Sequence, residues 1–170
     1  MRAEGQGPRA KGAALALLTI CALVSTWGVG QEIKLDGISP AKKAHLVLLT
    51  DGVEVKPGSE QVVELRFRVD PGFHINSHSP MDDLLIPTTL KFTPGAVRVL
   101  GTEYPQGDII KLTGSGEGLD VYQGEFIVQV KLVAPRGFST ITGTVRYQAC
   151  DNAACFPPKT LAVKIAVSGK

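Results

Sequence analysis

Two cysteines separated by four residues lie near the C-terminal end of the sequence, in YQACDNAACFPP (residues 147–158). If Cys150 and Cys155 bond to each other, they close a loop of about six residues, worth about 2 kcal/mol by loop-closure entropy. Such a bond does not tie two sheets together, because both sulfurs lie in one turn. Pro157 and Pro158 fix two φ angles and stiffen the exit from this turn. The spacing fits three kinds of site: a redox-active disulfide, a local staple on a hairpin, or a metal site.

The same residues resemble a family signature. Residues 147–150 (YQAC) and 155–158 (CFPP) are similar to the YQ-x-C…C-[YF]-P-P pattern of the N-terminal periplasmic domain of the transmembrane disulfide reductase DsbD. Many bacteria also carry this domain alone, as a "disulfide bond corrector" domain. The resemblance extends over about residues 35–168 through three upstream segments in the same order: PGFHINS (71–77), IPT (86–88) and DVYQG (120–124).

The resemblance implies roles for the residues of the motif. Cys155 would form mixed disulfides with partner proteins, and Cys150 would resolve them. Tyr147 and Phe156 flank the pair and would either shield it or pack in the core, with Pro157 supporting the turn. The C-x4-C spacing is one residue shorter than in the best-known members of the family.

Family members also cover the pair with a loop that bears an aromatic residue. The equivalent stretch is identified as residues 108–118 (DIIKLTGSGEG), which has no aromatic residue, so Leu112 is the candidate substitute lid. The glycines of this stretch predict a mobile loop.

Residues 1–30 have the layout of a secretory signal peptide: a basic start, an apolar run at 12–24 and small residues at 28–30. We expect cleavage after Gly30; an uncleaved anchor and lipidation at Cys21 are the alternatives, the latter disfavoured by the isoleucine before Cys21. Cleavage removes three basic residues and one acid from the 18 and 16 of the chain, leaving 15 of each. A near-neutral protein without a basic patch is not expected to bind DNA or other nucleic acid.

The rest of the chain, residues 31–170, predicts a single all-β domain. Apolar and polar residues alternate at 63–69, 126–132 and 161–167, as expected for strands with one buried face. About eight short strands with turn residues between them indicate an antiparallel sandwich; an immunoglobulin-like topology rather than a jelly roll is what the resemblance adds. Less regular strand candidates lie at 45–50, 73–76, 88–92, 97–104 and 140–149.

The alternation also predicts where the cysteines lie. If Tyr147 and Ala149 face the core, Cys150 points to the opposite face at the end of its strand. Both sulfurs would then lie near one tip of the sandwich, accessible to another protein, as thiol–disulfide exchange requires.

Three functions remain open at this point. The resemblance implies a protein-disulfide reductase-type module: a monomeric periplasmic relay without cofactor that passes electrons from a thioredoxin-like protein or membrane-embedded reductase to periplasmic disulfide proteins, with a link to cytochrome c assembly. The second hypothesis is a secreted binding module with a structural disulfide. The third is metal delivery, in which His74, His78 and Met81 join the thiols as soft ligands.

Overall fold

The computed structural model describes residues 44–111 and 118–170. The predicted signal peptide, with Cys21, and the candidate lid residue Leu112 lie outside these residues. The described residues form twelve strands and no helix. The strands are β1 (Leu46–Leu48), β2 (Gly52–Val55), β3 (Gln61–Val69), β4 (His74–Asn76), β5 (Thr89–Phe92), β6 (Arg98–Glu103), β7 (Asp108–Lys111), β8 (Gly118–Tyr122), β9 (Glu125–Val133), β10 (Gly137–Tyr147), β11 (Ala149–Cys150) and β12 (Lys159–Gly169).

Eight of the strands form two four-stranded sheets, in the orders β1-β3-β9-β6 and β2-β12-β10-β5. All pairs in these sheets are antiparallel except β2 with β12, which is parallel. Taken in chain order, the first sheet has the A-B-E-D arrangement of an immunoglobulin domain, and β12, β10 and β5 take the places of G, F and C. The predicted all-β, immunoglobulin-like antiparallel sandwich is confirmed.

Alternation along the strands builds the core between the sheets. In β3 the side chains of Val63, Leu65, Phe67 and Val69 are buried, and those between them are exposed. In the other sheet, the long strands β10 and β12 likewise alternate buried and exposed side chains. These two strands are paired from Gly137↔Gly169 to Tyr147↔Lys159. Residues of both sheets join in one apolar cluster, as burial of one face of each sheet requires.

A third, smaller sheet has the order β11-β4-β8-β7 and carries the cysteine motif at one edge. The chain leaves the large sheet at Gln148, since β10 ends at Tyr147 and β11 pairs with β4 through Ala149↔Ile75 and Cys150↔His74. This change of sheet decides where Cys150 lies.

Four strands of the structure were not predicted: β2, β7, β8 and β11. Gly52 begins β2 and pairs with Ala166. The stretch 108–118, identified as the equivalent of the covering loop, is not a loop at its ends, because Asp108–Lys111 forms β7 and pairs with β8 from Lys111↔Gly118 to Asp108↔Val121. The central residues of that stretch, 112–117, lie outside the described residues.

Candidate functional site: an asymmetric disulfide

Cys150 and Cys155 form a disulfide with an S–S distance of 2.00 Å and a Cα–Cα distance of 3.9 Å. The two residues differ sharply in exposure: Cys150 is 1% exposed, whereas Cys155 lies on the surface. The prediction that both cysteines are accessible is therefore wrong for Cys150, which is buried although it lies outside the main apolar cluster. β11 has joined the small sheet, where Cys150 pairs with His74 of β4, and Cys155 is the exposed residue of the pair.

The turn between the cysteines is held by hydrogen bonds that do not involve sulfur. The amide of Phe156 donates to the carbonyl of Ala149 at 2.8 Å, and the amide of Asp151 donates to that of Ala154 at 3.0 Å. The carboxylate of Asp151 accepts from the amides of Ala153 and Ala154, each at 2.8 Å. These bonds define the path of the chain on both sides of Cys155.

Gln148, the second residue of the motif, fastens this turn to the rest of the small sheet. Its Nε2 donates to the carbonyl of Phe156 at 3.2 Å. Its Oε1 accepts from Asn76 Nδ2 at 3.3 Å and from the amide of Ile86 at 3.5 Å. Asn76 is fully buried and its Nδ2 also donates to the carbonyl of Ile86 at 3.0 Å. One side chain thus links both ends of the cysteine turn to β4 and to the segment before β5.

An aromatic cluster lies beside the exposed cysteine. The Phe156 ring is 5.9 Å from that of Phe73 and 5.7 Å from that of His45, and these two rings stack at 3.7 Å. The imidazole of His45 also lies 3.4 Å from a carboxylate oxygen of Asp70. Neither His45 nor Phe73 was a predicted site residue; they meet Phe156 only because β1 and the start of β4 converge on the turn.

The other residues named from the sequence take different places. Tyr147 is 1% exposed and packs in the main core. Burial raises the pKa of its phenol, while hydrogen bonds from the backbone of His45 and Leu46 act in the opposite direction. Phe156 is half-buried and Pro157 is exposed. The structure thus brings Phe156 and Pro157 next to Cys155 and places the ring of Tyr147 in the sandwich.

Two charged or chargeable residues lie near the pair. Hydrogen bonds from the amides of Ala153 and Ala154 lower the pKa of Asp151, so its carboxylate is ionised at neutral pH. His74 faces Cys150 across the β4–β11 pair and is 3% exposed. Burial lowers the pKa of His74, and the charge of Asp151 partly opposes this shift. At neutral pH the imidazole is therefore uncharged, beside a carboxylate and the disulfide.

The residues proposed as soft metal ligands are not gathered in one place. His74 is buried under the cysteine turn, whereas the ring of His78 stacks on Tyr104 at 3.7 Å and bonds to the carbonyl of Thr88. Residues 44–111 and 118–170 contain no group of three His, Cys, Asp or Glu side chains arranged to hold a metal ion. Nor is there, within these two ranges, a helix long and apolar enough to cross a membrane.

Several solved structures are similar to this chain. The N-terminal periplasmic domain of ScsB from Proteus mirabilis shares 13% identity at a TM-score of 0.49, over 70% of this chain and 43% of that one. The reduced N-terminal domain of DsbD from Neisseria meningitidis shares 20% identity at a TM-score of 0.44, over 73% and 83%. The DsbD N-terminal domain of the same bacterium, solved in complex with the PilB N-terminal domain, shares 18% identity at a TM-score of 0.42, over 61% of this chain and 73% of that one. This chain spans less than half of the ScsB chain.

A comparison with curated proteins gave no match. A family comparison did: the family described as "Thiol:disulfide interchange protein DsbD, N-terminal" matches residues 47–166, which is most of the sequence and includes all but the ends of the sandwich. The match contains both cysteines, the hydrogen-bonded turn between them and β4, the strand that pairs with β11. The chain therefore belongs to the family of N-terminal domains of the thiol:disulfide interchange protein DsbD.

Proposed function

We propose that this chain exchanges disulfides with partner proteins through Cys155, with Cys150 as the resolving cysteine. The observation that carries the proposal is the asymmetry of the pair, since an exposed cysteine is bonded to a buried one within a single turn. A partner thiolate must approach a sulfur along the S–S axis, and the surface position of Cys155 permits such an approach. The hydrogen-bonded turn supports the same role, because none of its hydrogen bonds uses a sulfur atom, so opening the disulfide removes none of them directly.

The reaction proceeds in two exchanges. In the reduced protein, the Cys155 thiolate attacks a partner's disulfide, forms a mixed disulfide and releases one partner cysteine as thiolate. The Cys150 thiolate then attacks the Cys155 sulfur, which forms the Cys150–Cys155 bond and releases the second partner cysteine. The partner gains two electrons and this chain loses two. The reverse sequence, begun by a thiolate of a reductant on Cys155, reduces the chain again.

The proposal includes a cellular setting. Residues 1–30 act as a signal peptide, and residues 31–170 work as a monomeric domain in the periplasm. A thioredoxin-like protein or a membrane-embedded disulfide reductase supplies electrons, and periplasmic disulfide proteins, including those of cytochrome c assembly, receive them. Family membership and the signal-peptide pattern support this setting. A compartment that oxidises thiols makes such an electron supply necessary.

Trapping of mixed disulfides tests the proposal. The Cys150→Ala variant keeps the exchanging thiol and lacks the resolving one. It should therefore accumulate mixed disulfides with an oxidised thioredoxin-like protein, and a reductant should cleave these adducts. The matched Cys155→Ala variant should give none. Equal adduct formation by both variants, or none by either, would contradict the assignment.

The reduction potential provides an independent test. Equilibration of the protein with graded glutathione or dithiothreitol buffers should give a value in the range of known exchange proteins, roughly −270 to −120 mV. A value well below about −300 mV would identify a structural bond and would favour a stapled binding module instead.

A further inference from the structure

We propose that His74 accepts the proton of the buried Cys150 thiol when that residue resolves a mixed disulfide. The inference rests on the proposed function and assigns a base to its second step. That step needs a base, because only the thiolate is nucleophilic and a buried thiol ionises less readily than an exposed one.

The pairing of β4 with β11 brings the two side chains together. His74 and Cys150 are direct cross-strand partners, so their side chains point to the same side of the sheet with Cβ atoms about 5 Å apart. That distance is within the reach of an imidazole ring and a thiol. The preceding pair, Ala149↔Ile75, points to the other side and fixes the register through two buried apolar side chains.

His74 has an unused hydrogen-bonding atom in this buried position. The residue is 3% exposed, and its Nε2 has no hydrogen-bond partner among the described residues. A buried polar atom without a partner is costly and calls for an explanation in function. A thiol proton that appears only when the disulfide opens would provide the missing partner.

The surroundings favour the transfer. Burial keeps the imidazole neutral and so able to accept a proton, while the Asp151 carboxylate stabilises the imidazolium that results. The charged group that acts on His74 is Asp151, in the turn after β11. On the other side of β4 lies β8, whose ionisable residues are Asp120 and Tyr122. The Tyr122 hydroxyl is occupied, since it donates to the carbonyl of Pro105 and accepts from the amide of His78.

The proposed step balances as follows. The Cys150 thiol gives its proton to Nε2 of His74, which becomes imidazolium, and the thiolate attacks the Cys155 sulfur of the mixed disulfide. The Cys150–Cys155 bond forms, the partner's sulfur leaves with the electron pair of the broken bond, and the imidazolium later returns its proton to solvent.

The experiment follows two thiopyridone releases when the reduced protein is mixed with dithiodipyridine. Cys155 releases the first on forming the mixed disulfide, and Cys150 releases the second on resolving it. His74→Gln should leave the first release unchanged and slow the second by about 100-fold or more at neutral pH, since a positioned general base typically contributes about 10²- to 10⁴-fold. The second release in this variant should then rise steeply up to alkaline pH. His78→Gln, which changes a histidine on the same segment, is the matched control and should change neither release.

A second measurement uses the unmodified protein and does not depend on the variant folding. The pH midpoint of the second release should coincide with the titration of the His74 ring followed by nuclear magnetic resonance. A mismatch of the two midpoints, or a His74→Gln variant with an unchanged second release, would overturn the role of His74 while leaving the exchange proposal intact. If the unmodified protein releases no first thiopyridone from Cys155, the exchange proposal itself fails.

Discussion

Reduction of the Cys150–Cys155 disulfide should lower the free energy of unfolding by only about 2 kcal/mol and leave the domain folded. The bonded residues are 5 apart in sequence, so the bond closes a loop of about six residues, and its effect on the entropy of the unfolded chain is correspondingly small. A single domain of this size is stable by about 5–15 kcal/mol. The core between the two large sheets, which includes Tyr147 but neither cysteine, supplies most of this stability.

Urea unfolding followed by circular dichroism, with and without a phosphine reductant, measures the effect. The urea concentration at the unfolding midpoint should fall. The slope of the unfolding free energy against urea concentration should stay the same, because the surface exposed on unfolding hardly changes. Cys155→Ala should reproduce the effect of reduction, since it removes the bond at an exposed position and leaves no cavity. Cys150→Ala should cost about 1 kcal/mol more, because it also truncates a buried side chain.

A loss above about 4 kcal/mol, close to the upper end for disulfides, would refute this reasoning, as would a reduced protein without near-ultraviolet dichroism in the absence of urea. Either result would mean that the bond organises the small sheet. A protein that must cycle between oxidised and reduced forms cannot depend on the bond to that degree.

Three further predictions concern the site. In the reduced protein, iodoacetamide should alkylate Cys155 at least about 10-fold faster than Cys150, as mass spectrometry of peptides would show, since alkylation needs access to the thiolate; equal rates would contradict the burial of Cys150. Gln148→Ala should lower the unfolding free energy by about 1–3 kcal/mol because it leaves buried partners unsatisfied, whereas the exposed Gln129→Ala should have little effect in the same urea titration. The free energy of unfolding should fall as pH decreases below about 6.5, because His74 has a lowered pKa when folded and takes up its proton on unfolding. His74→Gln should flatten this part of the pH–stability curve, and an unchanged slope in that variant would show that His74 is not the group responsible.

The sequence predicted the large sheets well because their strands alternate cleanly. In β3, β9 and β12 each buried residue is followed by an exposed one over most of the strand, and that period is visible without any knowledge of partners. The sequence 108–111 (DIIK) has two adjacent apolar residues and is followed by glycines, so it lacked a period of two and was assigned to a loop.

The burial of Cys150 was not predictable by the same logic. Tyr147 and Ala149 are both buried, so the alternation continues through Ala149, but the two residues belong to strands of different sheets. The break at Gln148 depends on hydrogen bonds to Asn76 and Ile86, which are more than sixty residues away in sequence. The pairing of His74 with Cys150 is equally distant, and a local pattern carries no information about it.

The different surroundings of the two cysteines match the different tasks that we propose for them in the two exchange steps. The first step is between two proteins and needs an accessible sulfur, which Cys155 provides at the surface beside Phe156. The second step is within one turn, where the attacking thiol has no need of solvent access because its target is already held next to it, at a high effective concentration. Burial of Cys150 then has a useful consequence: a second partner cannot reach the resolving thiol, so the mixed disulfide on Cys155 is its only available target. The same burial makes the thiol harder to ionise, and this is the reason that we propose a base, His74, for the second step and none for the first.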